Sequence, residues 1–191
     1  MNQDITNNNP IGNQFNVTSL TGSINMASKT RLQKKFEKLK EEVRNDSRYD
    51  SFIEDFNTYN TIKDGIGLEQ KLIDAGFTER EIIKALALKE KYSKRVVLGE
   101  MYLSQQEIDV DIFSFIDSNF EVYIYPKIIN GDDKVAIKEC LMEKIISPII
   151  ELLNRDGEND DFLNYNINDI YGMVYFLTGK CHLNWKDYDS I

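Results

Sequence analysis

Two spacings of hydrophobic residues divide this chain. Over residues 15–26 apolar and polar positions alternate around Thr21-Gly22, with Val17 and Leu20 before the turn and Ile24 and Met26 after it. Period two predicts a small β-hairpin arm over 15–27, with an irregular arm as the competing reading. An isolated hairpin is marginally stable, so this one is expected to pair with another chain or lie on the remaining body. Ahead of it, residues 1–14 are rich in Asn, with Pro10 and Gly12, and predict a flexible leader.

From Ser28 the period becomes helical. Leu32, Phe36, Leu39 and Val43 make one stripe, and Phe52, Phe56 and Tyr59 continue it in a second helix over 49–59, begun by Asp50 or Ser51. A short helix over 67–76 closes at Gly76, a residue suited to the left-handed conformation that ends helices. Thr78 with Glu81 forms a capping box, so the next helix starts at Glu79 and runs through Tyr92 and Val96 toward Met101. Ser104 with Glu107 reads as a second box. The helix it opens is apolar on more than one face, from Ile108 to Ile124, and belongs at the centre of the fold, with Pro126 kinking or ending it near Tyr125. Asp132 or Asp133 caps the following helix, which Pro148 bends. A last helix, capped by Asn168 or Asp169, spans Ile170 to Leu177 and is halted by Gly179. Short loops imply that successive helices pack mostly antiparallel. The fold expected is mainly α: an irregular helical bundle over 28–191 carrying the N-terminal hairpin or extended arm.

Composition narrows the function more than the fold. The chain has 191 residues and a formal net charge of -9, which disfavours whole-molecule attraction to nucleic acid, because duplex binding is dominated by Lys and Arg neutralising phosphates. Contact with nucleic acid is expected only indirectly. The first helix is locally basic through Lys34, Lys35, Lys38 and Arg44, but Glu37, Glu41 and Glu42 alternate with them at ion-pairing spacing. Two cysteines and no secretory signal point to a reducing, cytoplasmic setting, and no apolar run is long enough to cross a bilayer.

Candidate chemistry is thin. Asp109, Asp111 and Asp117, with Glu107 and Glu121, offer carboxylates, but not at the spacing of a calcium loop. Cys181 and His182 adjoin, yet zinc wants four ligands, and a nucleophile and its base are brought together by the fold rather than by adjacency. A structural His182, one ring nitrogen bonded to a buried carbonyl under Trp185, is the simpler expectation. No phosphate-binding glycine loop, nucleophile elbow or zinc-protease helix occurs. No catalytic residue, metal or cofactor is expected.

Four stretches together resemble a known family: residues 67–72 (Gly-Leu-Glu-Gln-Lys-Leu), residues 87–94, Tyr125-Pro126-Lys127-Ile128, and above all residues 172–185, ending Leu177-Thr178-Gly179-Lys180-Cys181-His182-Leu183-Asn184-Trp185. The family is the C-terminal domain of effectors in bacterial ABC three-component systems, the group that includes Lamassu-type antiphage defence, and the similarity runs over roughly residues 50–185. In that family the helical domain docks an N-terminal effector, often a nuclease or peptidase, to an SMC-like or RecN-like ABC ATPase and a small middle component. Ahead of the similar region stand here only the leader, the arm and one amphipathic helix, too little for such an enzyme, so the expectation is a detached module, a fragment, or an effector that works without its own enzyme. The resemblance implies a non-enzymatic assembly module, with the effector in cis or in trans and a homo-oligomer as a further option. Interfaces favour aromatic residues and exclude Lys from their cores, so Tyr171, Tyr175, Lys180, His182 and Trp185, with Val17, Leu20 and Ile24 of the arm, are the expected partner-binding positions, and the tyrosines and Trp185 are divided between core and interface. A small hydrolase or nuclease using His182 with acidic residues is the alternative, and a subunit touching DNA through the first helix a third.

Overall fold

The computed structural model describes residues 28–63, 65–97, 102–158 and 160–188; the leader and the arm with Val17, Leu20 and Ile24 lie outside them. All regular structure among the described residues is helical. Helix α1 (Arg31–Arg44) opens with a capping box between Thr30 and Gln33, and buries the Leu32, Phe36 and Leu39 stripe. It is followed by α2 (Glu54–Asn60), α3 (Leu68–Asp74) and α4 (Glu79–Val97). Helix α3 ends as the sequence implies. Gly76 sits at φ 71°, and the Gly76 and Phe77 amides return to the Ile73 and Leu72 carbonyls at 2.8 and 2.9 Å. The α4 box also forms: Thr78 Oγ1 accepts from the Glu81 amide, and the Glu81 carboxylate accepts from the Thr78 amide at 2.8 Å.

Helix α2 is shorter than its aromatic spacing suggests. Gln106, buried on α5 (Leu103–Asn119), accepts from the Ile53 amide at 2.8 Å and donates to the Ser51 carbonyl at 2.9 Å. That clamp holds 51–53 out of the helix, so neither Asp50 nor Ser51 caps it. Ser104 and Glu107 form no box either, because Tyr102 is the N-cap of α5 and Ser104 lies inside the helix. Glu42 of α1 does the capping across space, its two oxygens accepting from the Ser104 amide and hydroxyl, each at 3.0 Å.

Neither internal proline ends its run of helix. Helix α5 continues through a π-helical turn at Phe120–Ile124 into α6 (Tyr125–Ile129). Helix α7 (Lys134–Leu141), N-capped by Asp133, passes through a second π turn at Met142–Ile146 into α8 (Ser147–Asp156). A proline ring collides with the carbonyl four residues back. Widening the turn just before Pro126 and Pro148 relieves that collision, and the rods run on to Ile129 and Asp156.

Helix α9 (Ile167–Gly179) starts from Asn166, whose side chain accepts from the Asn168 amide at 2.9 Å while Asp169 accepts from the Asn166 amide at 3.1 Å. The cap therefore precedes both residues expected for it. The tightest pairing in the fold joins α9 to α4, far apart in sequence, while α5 lies against α1, α2 and α9. Gly172 sets the close approach: a Cβ there would fall 2.7 Å from the Leu88 carbonyl oxygen. The core is continuous around α5, where Ile108, Ile112, Phe113, Ile116, Phe120 and Ile124 are all buried, so its central place holds.

Candidate functional site

The end of α9 organises the C-terminal stretch. Cys181 takes φ 68°, its amide donates to the Thr178 carbonyl at 3.1 Å, and the His182 amide donates to the Leu177 carbonyl at 3.0 Å. This is a Schellman closure with cysteine, not glycine, at the left-handed position. Gly179 has a different job: a Cβ there would lie 2.9 Å from Lys89 Cε.

The closure sends His182, Leu183 and Trp185 inward. Trp185 is buried, donates from Nε1 to Thr178 Oγ1 at 3.0 Å, and meets Phe120 and Phe77 edge-on at 5.1 and 5.4 Å. Thr178 in turn donates to the Val174 carbonyl at 2.9 Å. Trp185 is thus a core residue whose polar edge is satisfied. His182 is also buried, but the aromatic ring against it is Tyr59, at 5.2 Å, and its ring nitrogens make no well-formed hydrogen bond, only weak contacts with the Tyr59 and Thr61 backbone. The expected backbone partner is thus only a weak one, at Tyr59 and Thr61. Burial, then the charge of Lys63, push the His182 pKa below its usual 6.5, with Asp117 and the Tyr59 and Thr61 backbone opposing, so the ring is mainly neutral at pH 7.

Tyr171 and Tyr175, one turn apart on α9, are half-buried with their rings stacked at 6.2 Å. With Trp185 as part of the floor they line an open groove of about 380 Å³, shared with Phe77, Leu88 and Met142 and rimmed by Ile167, which is 46% exposed. Burial raises both phenol pKa values. That of Tyr175 reaches about 12, helped by the charges of Tyr171 and Glu81, so both hydroxyls stay protonated and can donate. An ion pair between Glu81 and Lys138 closes one edge, with Lys138 also 5.3 Å above the Phe77 ring.

Three of the expected partner-binding residues therefore converge: Tyr171, Tyr175 and Trp185. The other two do not join them. Lys180 lines a separate groove, and His182 faces Tyr59.

The acidic run on α5 is dispersed rather than gathered. Asp111 pairs with Lys35 at 2.6 Å and Glu107 approaches Lys38 at 3.9 Å, while among the described residues no three His, Cys, Asp or Glu side chains are grouped to hold a metal ion. The same pairs occupy two of the lysines that made α1 look basic.

Asp109 was hidden in that run. It is fully buried and accepts from Tyr165 Oη at 2.7 Å and Tyr92 Oη at 2.9 Å, and desolvation pushes its pKa up to about 7 against those bonds and nearby Arg95. Lys71 was missed as well: it has no exposed surface and donates to Asn184 Oδ1 at 2.6 Å. Periodicity carried a partial signal for both, since each falls on the inward face of its helix.

Among the described residues no helix is long and apolar enough to cross a membrane. Comparisons with curated proteins and with solved structures returned no match. A family model does match, over residues 67–185, a span that begins just before α3, takes in both the tyrosine groove and the Schellman closure, and ends on Trp185. With well over half of its length so matched, the chain belongs to the family described as C-terminal domain 9 of the ABC-three component (ABC-3C) systems.

Proposed function

We propose that this chain is a non-enzymatic assembly module. It couples an effector, in cis or in trans, to an SMC-like or RecN-like ABC ATPase and a small middle component in defence against phage or plasmids. Family membership supports the setting. The observation that carries the docking role is the stacked, half-buried Tyr171–Tyr175 pair beside an open, largely apolar groove with Trp185 as part of its floor. Rigid aromatic rings beside a pocket supply large contact area at small entropic cost, and such residues dominate the energetics of protein interfaces. Their protonated hydroxyls offer two donors at its edge.

The test uses the chain expressed with the ATPase and middle component of its own operon. Tyr171→Ala/Tyr175→Ala is expected to keep its helical content and thermal midpoint near those of the parent while the complex dissociates. Retention of the complex at unchanged affinity would remove the groove from the docking surface. His182→Gln addresses a hydrolase: loss of an activity by a folded, assembled variant would favour that reading.

A further inference from the structure

A second groove lies on the opposite edge of the α4–α9 pair, lined in part by Tyr49, Phe52, Lys89, Phe176 and Lys180, with a volume of about 470 Å³. Its lining brings together two ammonium groups from different helices. Lys180 lies 5.5 Å above the Phe176 ring, and Lys89 crosses the bare face of Gly179. Neither forms an ion pair among the described residues, whereas their neighbours on α4 do: Lys91 meets Asp169 at 2.6 Å and Lys94 meets Glu90 at 2.9 Å. Burial, and then the like charge of Lys89, hold the Lys180 pKa below its ordinary value.

The end of α9 accounts for one of these cations, because a helix C-terminus favours positive charge. Lys89 sits within α4 and has no such reason to be there. Two cations without an ion-pair partner among the described residues, over an aromatic floor and on a chain of net charge -9, make a local inversion of sign. Asp50 also lines the groove but is paired with neither lysine. The inversion defines what complements it: a segment with carboxylates spaced to meet both ammonium groups and an apolar side chain to lie on Phe52.

We propose that this groove receives an acidic segment of a partner protein in the three-component complex, its carboxylates meeting Lys89 and Lys180 and an apolar side chain covering the half-buried Phe52. The proposal rests on the assembly reading and adds to it a second contact, chemically unlike the tyrosine groove.

The test is made on the complex assembled from the operon's own components. Carbodiimide coupling joins a lysine directly to a contacting carboxylate, and mass spectrometry identifies both ends. Cross-links from Lys89 or Lys180 to Asp or Glu of another component are expected. Lys89→Glu/Lys180→Glu is expected to weaken assembly by about tenfold or more at low salt, with the difference shrinking as salt rises. Lys34→Glu/Arg80→Glu, which changes net charge equally at exposed positions outside both grooves, serves as the control. Lys89→Gln/Lys180→Gln gives a milder loss should the reversal disturb folding.

Cross-links to a second copy of this chain would overturn the proposal in favour of self-association. The absence of any cross-link at the two lysines, or an equal loss in the control, would also overturn it. If the tyrosine variant breaks the complex and the lysine variants do not, the assembly reading stands and this contact falls. If the components form no complex at all, both fall.

Discussion

Replacing Asp109 by Asn tests the electrostatics of the core. The carboxyl has no exposed surface, and its folded pKa of about 7 stands against an ordinary value of 3.8, a displacement of about three units. The folded state therefore binds this proton more tightly than the unfolded chain does. Stability from this group is fully present below pH 3.8, falls as the unfolded carboxyl ionises first, and levels off above about pH 7. At about 1.4 kcal/mol per unit, the full displacement amounts to roughly 4 kcal/mol, of which about 2 to 3 kcal/mol lies between pH 5 and pH 8. Asn keeps the shape, accepts from one tyrosine and donates to the other, and carries no charge. Urea unfolding of parent and variant across that range is the assay. The two are expected to lie within about 1 kcal/mol at pH 5, with the variant the more stable by roughly 2 to 3 kcal/mol at pH 8. Other titrating groups are common to both proteins and cancel in the difference. Parallel pH profiles would refute the reasoning, because they would mean that the carboxylate is stabilised where it sits.

Gly172→Ala should destabilise the protein by about 2 kcal/mol or more in thermal unfolding: its Cβ meets the Leu88 backbone carbonyl, which cannot rotate away, and the gain in helix propensity is nearer 1 kcal/mol. A more stable variant would show that α4 and α9 are not in close contact. Glu42→Ala should weaken folding by about 1 kcal/mol through loss of the cap that α1 places on α5, and no loss would dismiss that cap; a double-mutant cycle with Ser104→Ala isolates the hydroxyl's share. For His182, NMR titration of the ring should give a midpoint below 6.5, and because the unfolded chain then protonates first, stability from this group is lost as pH falls through that value. A midpoint above 6.5 would place a negative partner at the ring.

What the sequence by itself determined was chiefly local. The capping box at Thr78, the turn at Gly76, the Asp133 cap and the buried breadth of α5 depend on residues within a few positions of one another, so their spacing carries the physics. The Tyr171–Tyr175 stack belongs here too, since residues four apart on a helix must share a face. The family was legible from four stretches, above all the run from Leu177 to Trp185, which in the structure forms a helix end and the buried Trp185 beyond it. Tertiary structure decided the rest, because the deciding atoms come from distant parts of the chain. Gln106 shortens α2, Glu42 supplies the cap that Ser104 and Glu107 do not make, and packing lets two rods pass their prolines through π turns. Only the fold could sort five neighbouring candidates at the C-terminus. The Schellman closure at Cys181 turns the backbone so that Trp185 enters the floor of one groove, Lys180 borders another, and His182 is sealed against Tyr59. Separation along the chain says nothing of that division, since a left-handed turn redirects side chains that linear spacing places together.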